Sequence, residues 1–343
     1  MKRRKFLKNT AIAGAAGVAA STLAAPAIAQ GRKEMIIVST WPRDFPGLGL
    51  SAQRLAARIP VLTDGRISVK YFASGERVGA FDSFDEVASG NSQAYIAADY
   101  YWKGKHPGWA YFTAVPFGFT YVEMDAWMKY GGGQKLHDEL AGGFGIKGFP
   151  CGNTGCQMGG WFNKEMNSAS DFKGLKMRIP GLGGDVLAKL GASTVSLPGS
   201  QIYENLVSGA IDATEWVGPY NDYFMKFYEA AKYYYYPGMH EPASQLTLGI
   251  NKKWWDSLGK SDQGIIEAAC MEENSHQMAE TNANNGTYLT KLIKDHGVKL
   301  RSFNEDIYDS FGKAAEEVFA EVVAHSPLAR KIPESFLATR ADV

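Results

Sequence analysis

From Met35 onward, segments with the pattern of strands alternate with segments that have the pattern of helices, and nothing else in the chain limits its fold so strongly. Met35-Ile36-Ile37-Val38-Ser39 is an apolar run of strand length, and Leu50 to Ile59 has helical spacing. The turn Thr63-Asp64-Gly65 leads into Ile67-Ser68-Val69-Lys70-Tyr71, where apolar and polar residues alternate as on a half-buried strand. A helix over Ser83 to Ala88 stops at Gly90, and a strand follows over Ala94 to Ala97. Strands separated by helices need crossover connections, so the pattern predicts a layered α/β fold with a mostly parallel sheet.

The unit then recurs. Val87-Ala88-Ser89-Gly90-Asn91-Ser92-Gln93-Ala94 resembles Leu206-Val207-Ser208-Gly209-Ala210-Ile211-Asp212-Ala213. In each, a helix ends at a glycine and a short strand follows. Each strand runs on to aromatic residues, Tyr100-Tyr101-Trp102 in the first case and Trp216 and Tyr220 in the second. Ligands of open α/β sheets lie beyond the carboxyl ends of the strands, so two facing units would line a cleft between two lobes. Downstream, Lys252 to Leu258, Gln263 to Leu292 and Glu305 to Ala324 read as helices, and no low-complexity linker separates the lobes.

The first 29 residues have the layout of an export signal. Lys2, Arg3, Arg4, Lys5 and Lys8 precede a mild apolar run from Thr10 to Leu23, and Ala27-Ile28-Ala29 is an A-x-A cleavage site before Gln30. The paired arginines point to the twin-arginine route. Without this segment, 31 basic residues face 36 acidic ones, a net charge of −5. That balance argues against a nucleic-acid partner. Cys151, Cys156 and Cys270 are an odd set, not a disulfide framework. Cys151 and Cys156 either pair in an oxidising compartment or are two small buried thiols.

Four segments could carry chemistry. In Gly152-Asn153-Thr154-Gly155-Cys156-Gln157-Met158-Gly159-Gly160, small residues allow close backbone approach, and Asn153 and Gln157 add neutral polar groups. Arg178 lies in a short apolar stretch, where it needs a partner. Its planar guanidinium suits a carboxylate, either a ligand's or that of a structural Asp or Glu. Glu215 follows an apolar strand and precedes Trp216. It would be buried against a cation, either a metal or Arg178 itself. Tyr233 to Tyr236 reads as a strand packed on both faces, and His240-Glu241 as a polar loop with ligand-forming side chains. The chain has no G-x-S-x-G, no H-E-x-x-H and no P-loop. Glu215 as a general base would have no evident partner.

Taken together, these segments resemble the solute-binding proteins of tripartite ATP-independent periplasmic (TRAP) transporters, in the branch that binds 2-oxo acids or lactate with a cation. The resemblance runs from about Ile36 to about Phe336. It is carried by Tyr100-Tyr101-Trp102-Lys103-Gly104-Lys105, Ala114-Val115-Pro116-Phe117, Gly131-Gly132-Gly133, Gly152-Asn153-Thr154-Gly155, Gln157-Met158-Gly159-Gly160-Trp161-Phe162, Gly174-Leu175-Lys176-Met177-Arg178, Ile211 to Tyr220 and Tyr233 to Gly238.

The resemblance implies a two-lobed periplasmic binding-protein fold, type II-like, with long helices and strands shared between lobes. The expected division is 30–153 with 245–300 for the first lobe, 154–244 for the second, and 301–343 as a C-terminal helical segment. Arg178 is expected on the substrate carboxylate. Gln157, Glu215 and the backbone of Trp216 are expected on a sodium or calcium ion that the acid chelates, with Glu241 assisting. On this view the counter-charge of Glu215 is the metal rather than Arg178. Tyr100, Tyr101 and Asn153 are expected as further contacts, and Gln157 and Trp216 touch the substrate as well as the cation. The partners implied are a small carboxylate and the membrane permease subunits. The family homodimer uses further C-terminal helix, whereas this chain stops at Ala341-Asp342-Val343, which leaves the dimer open. A metal-assisted periplasmic enzyme acting on oxo acids, or a sensor subunit presenting its ligand to a receptor, are the alternative readings.

Overall fold

Two mixed sheets, each flanked by helices, share the chain in the computed structural model, which describes residues 31–342. The expected export signal lies outside the described residues. The first sheet contains β1 (Lys33–Ser39), β2 (Ile67–Phe72), β3 (Ala94–Ala97), β4 (Ile146–Asn153) and β10 (Gln245–Asn251), in the order β2-β1-β3-β10-β4. The second contains β5 (Gly160–Phe162), β6 (Lys176–Arg178), β7 (Ser193–Val195), β8 (Ala213–Thr214), β9 (Tyr233–Tyr236) and β11 (Lys299–Ser302), in the order β11-β9-β5-β8-β6-β7.

Parallel pairing, expected from the alternation of helix and strand, holds for β2-β1-β3 and for β8-β6-β7. The remaining neighbours are mostly antiparallel, because the strands that carry the chain between the sheets run against their partners. Strand β4 leads out of the first sheet and β10 brings the chain back, antiparallel to both β3 and β4. Strand β5 is antiparallel to β8 and β9. The sheets are therefore mixed rather than mostly parallel.

The 37-residue helix Lys260–His296 is the third connection. It lies along β4, packs on the helix Pro219–Met225, and delivers the chain to β11 in the second sheet. Arg54, on the helix Leu48–Leu62, pairs with Glu273 and Glu280 of this long helix, both at 2.7 Å. The Tyr220 hydroxyl donates to the same Glu280 at 3.0 Å, so one carboxylate ties both halves of the molecule to the long helix. The lobe boundary expected at residue 300 falls inside β11. The last helix, Pro327–Asp342, returns to the first half, where Phe336 packs against Phe119 and Trp127, and the Trp127 indole donates to Ser335 at 3.1 Å.

The three cysteines are free, Cys151 and Cys270 buried and Cys156 exposed. Among the described residues no helix is long and apolar enough to cross a membrane.

Candidate ligand and cation site

Strand order creates the centre of the site. Strands β6 and β8 are parallel neighbours with Arg178 opposite Thr214, so Arg178 and Glu215 meet at the carboxyl ends of two adjacent strands. Arg178 Nε donates to the Leu197 carbonyl at 3.1 Å, and Nη1 donates to the Glu215 carbonyl at 3.1 Å and to the Glu215 carboxylate. Both side chains are buried. The expectation that a metal alone neutralises Glu215 is corrected here: the Arg178 guanidinium is its direct partner, because the strand register leaves the two side chains nothing closer. The indole of Trp216 lies 5.2 Å from the guanidinium carbon.

The return strand supplies the other half. His240 and Glu241 sit between β9 and β10, both buried. His240 Nε2 lies 3.3 Å from the second oxygen of Glu215. Gln157 donates its side-chain amide to Glu241 at 2.8 Å and to the Thr154 hydroxyl at 3.0 Å, and its backbone N–H donates to the Glu241 carbonyl at 3.0 Å. Glu215, His240 and Glu241 each offer a ligand atom, and these atoms lie within 4.8 Å of one another. Burial, then the nearby Glu215 charge, pushes the Glu241 carboxyl up to about 7. Burial opposes charging of His240, but its contact with Glu215 outweighs this and raises its pKa.

Two buried aspartates fix the segments that bear the aromatics. Asp222 accepts from Val217 N–H at 3.0 Å, from the Trp161 indole at 2.9 Å and from the Tyr234 hydroxyl at 2.8 Å, which holds the turn carrying Trp216. Asp99 accepts from Tyr95 at 3.2 Å and Thr247 at 2.8 Å and contacts His137 Nε2 at 3.0 Å, just before Tyr100 and Tyr101. The rings of Tyr100 and Tyr101 pack edge to face at 4.9 Å. Burial, then the Glu241 carboxylate, raises the Tyr100 phenol.

The structure thus brings Tyr100, Tyr101, Gln157, Arg178, Glu215, Trp216 and Glu241 to one place. Tyr100, Tyr101, Gln157 and Trp216 line a common cavity. Asn153 is not among the residues lining that cavity, and its side-chain amide oxygen accepts from Gly155 N–H at 2.8 Å and shapes the turn into the second sheet. Sequence reasoning gave His240 too little weight and passed over Thr154, Trp41, Leu48 and Leu246. Only His240 carried a readable signal, as an imidazole beside a carboxylate.

Four buried side-chain atoms here have no hydrogen-bond partner within the protein: Arg178 Nη2, Trp216 Nε1, Gln157 Oε1 and Glu241 Oε1. Two are donors and two are acceptors, so the site suits an anionic ligand together with a cation. The oxygen-rich acceptor set of Gln157, Glu215 and Glu241 fits a hard cation such as sodium or calcium.

The model of bacterial extracellular solute-binding protein, family 7 (DctP) matches residues 38–326. The chain belongs to the DctP family. This DctP-family protein is 38% identical over 347 residues to the monocarboxylate 2-oxoacid-binding periplasmic protein of Nostoc sp. PCC 7120, with 100% of this chain and 95% of the relative covered. A crystal structure of a TRAP periplasmic solute-binding protein from Pseudoalteromonas atlantica with bound sodium and pyruvate superposes with a TM-score of 0.88 at 39% identity, covering 91% of this chain and 94% of that one. One from Colwellia psychrerythraea with bound calcium and pyruvate gives 0.88 at 38% identity, covering 91% and 95%. The two-lobed fold is thus shared with these TRAP proteins.

Proposed function

We propose that this DctP-family protein captures a small 2-oxo or 2-hydroxy monocarboxylate together with a metal cation in the cleft between its sheets, and hands it to TRAP permease subunits in the membrane. The observation that carries this reading is the set of four buried atoms without partners at one site, Arg178 Nη2 and Trp216 Nε1 as donors and Gln157 Oε1 and Glu241 Oε1 as acceptors. Leaving such atoms unpaired is costly, and a chelated acid satisfies both kinds at once. The relatives that bind pyruvate with sodium or calcium support the same pairing of acid and cation.

In this reading Arg178 grips the carboxylate, and Gln157, Glu215, the Trp216 carbonyl and Glu241 hold the cation. Tyr100 and Tyr101 close over the ligand from the first sheet, and Asn153 acts through the turn it shapes. The cation supplies positive charge to the carboxylate and to the 2-oxo or 2-hydroxy oxygen. Closure of a lobe built on the first sheet against one built on the second presents a new surface to the permease. The N-terminal segment directs twin-arginine export to the periplasm.

Calorimetric titration of the purified protein with pyruvate and lactate, with and without sodium or calcium, tests the proposal. Binding that requires a cation and returns the acid unchanged is expected. Absence of binding to any such acid would refute it, and turnover would favour the enzyme reading.

A further inference from the structure

We infer that Lys103 is a positioning residue for acid capture: it fastens the helix that follows Arg178 to the half of the molecule carrying Tyr100 and Tyr101, and so slows release of the bound acid. The inference rests on the reading above. Lys103 caps the short turn Asp99–Trp102, and its N–H donates to the Tyr100 carbonyl at 3.0 Å. That turn is anchored in the first half, where the Trp102 indole donates to the Phe81 carbonyl at 2.9 Å and the Tyr100 N–H donates to the Thr113 hydroxyl at 3.2 Å. Lys103 Nζ then reaches the other half, where it donates to the Gly181 carbonyl at 3.0 Å and to the Asp185 carboxylate. Gly181 begins the helix Gly181–Lys189, three residues after Arg178. Asp185 lies four residues further on, so both acceptors share one face of that helix.

The first turn of this helix is pressed between two side chains of the site. Gly181 has a φ of +67°, and a Cβ on it would lie 3.2 Å from Tyr100 Cδ1, so the tyrosine ring rests against bare backbone. A Cβ on Gly183 would lie 2.5 Å from His240 Cβ. Movement of the helix away from Lys103 therefore uncovers Tyr100 and His240 and carries the end of β6, with Arg178, along with it. Among the described residues, Lys103–Asp185 is the only ion pair that joins the segment 31–153 directly to the segment 154–244. Every other pair stays within one of these segments or involves a residue after 244. Neither Lys103 nor Asp185 lies on a segment that carries the chain from one half to the other, so the contact forms only when the halves meet. The two side chains are 31% and 41% exposed, so water replaces each partner easily when the halves part. The acid enters before this contact is made, and the contact must break before the acid leaves. Its loss should therefore appear in the off-rate and not in the on-rate.

Stopped-flow tryptophan fluorescence on the full mature chain, at fixed sodium and calcium, gives both rates for pyruvate or lactate, whichever binds more tightly. Lys103→Met keeps the aliphatic stem and should raise the off-rate about three- to tenfold while the on-rate changes by less than about twofold. Asp185→Asn should raise it less, about two- to threefold, because the Gly181 carbonyl still holds the ammonium. The double variant should release the acid no faster than Lys103→Met alone, since both changes break one contact. Lys103→Arg can still donate to both acceptors and should keep the off-rate within about twofold of the wild type. Lys129→Met, which breaks a pair with Asp125 inside one helix, is the control and should change neither rate. An off-rate in Lys103→Met equal to that of the wild type, or matched by Lys129→Met, would overturn the inference alone, as would an effect confined to the on-rate. A wild type that binds neither acid would overturn the proposed function and this inference with it.

Discussion

Arg178 and Glu215 form an ion pair in which the arginine side chain is 1% exposed and the glutamate side chain 0%. Removing one partner leaves the other charged and buried, whereas removing both does not. Arg178→Ala is therefore expected to abolish acid binding and to lower stability by about 3–5 kcal/mol. Arg178→Lys should not restore binding, because an ammonium lacks the fork that makes two parallel hydrogen bonds. The double variant Arg178→Met with Glu215→Gln should regain much of the lost stability and still not bind. Glu215→Gln alone should bind weakly and recover as the cation is raised. Thermal unfolding and calorimetry on the four variants separate the structural role of the pair from its role toward the ligand.

The pair also shows how far sequence alone reaches. The apolar runs that end at Arg178 and Glu215 are readable as strands, but their adjacency comes from the order β8-β6 and its register, which local patterns do not encode. Tyr100-Tyr101 and Trp216 were legible because each follows a helix–glycine–strand unit whose carboxyl end faces a cleft. His240-Glu241 reads as a polar loop because the pair lies between prolines, Pro237 and Pro242. Its burial arises only when β9 and β10, in different sheets, bring the connecting segment back through the middle. Trp41 and Leu48 look like ordinary core residues for the same reason. They line a cavity only with what the second sheet places opposite them.

The free thiols give a direct check on the fold. Cys156 is exposed, and Cys151 and Cys270 are buried; burial raises the pKa of all three thiols, furthest for the two buried ones. A thiol reagent at pH 8 should modify one cysteine of the native protein quickly and all three only in denaturant. Trypsin leaves Cys151 and Cys156 on one peptide, residues 148–164, so fragment-ion mass spectrometry of that peptide should place the fast label on Cys156. Protection of Cys156 in the native protein, released by reductant, would instead mean that it is paired with Cys151.

Asp222 makes stability depend on pH in a defined direction. Burial pushes its carboxyl up to about 7, against the hydrogen bonds it accepts from Trp161, Tyr234 and Val217. Between the ordinary carboxyl range and about 7, the folded protein keeps a proton that the unfolded chain has lost. The unfolded state then binds fewer protons, so stability falls as pH rises through this window and levels off above it. Glu241, also raised to about 7, acts in the same direction. Melting temperatures of the ligand-free protein from pH 4 to 8 should decline accordingly. Asp222→Asn should melt lower overall, since the Trp161 indole loses an acceptor, but with a shallower decline. An equal slope in both proteins would remove Asp222 as a source of the effect.

At Gly47 a single methyl group would press on the facing half of the molecule. Its φ of +74° is a conformation that residues with a side chain rarely adopt, and a Cβ there would lie 2.5 Å from Asn221 Nδ2 on the facing half. The contact exists only while the two halves are together, so Gly47→Ala penalises the closed arrangement in particular. Backbone strain adds roughly 1–2 kcal/mol, part of which an open form can relieve by relaxing the turn. Acid affinity is therefore expected to fall at least about tenfold, with a smaller loss in ligand-free melting temperature. Asn221→Gly relieves the contact from the other side and should restore part of the affinity when combined with Gly47→Ala. Small-angle scattering of Gly47→Ala with saturating acid and cation should show a larger radius of gyration than the liganded wild type. Identical scattering and affinity in the two proteins would mean that the Pro46–Asn221 contact has no part in closing the cleft.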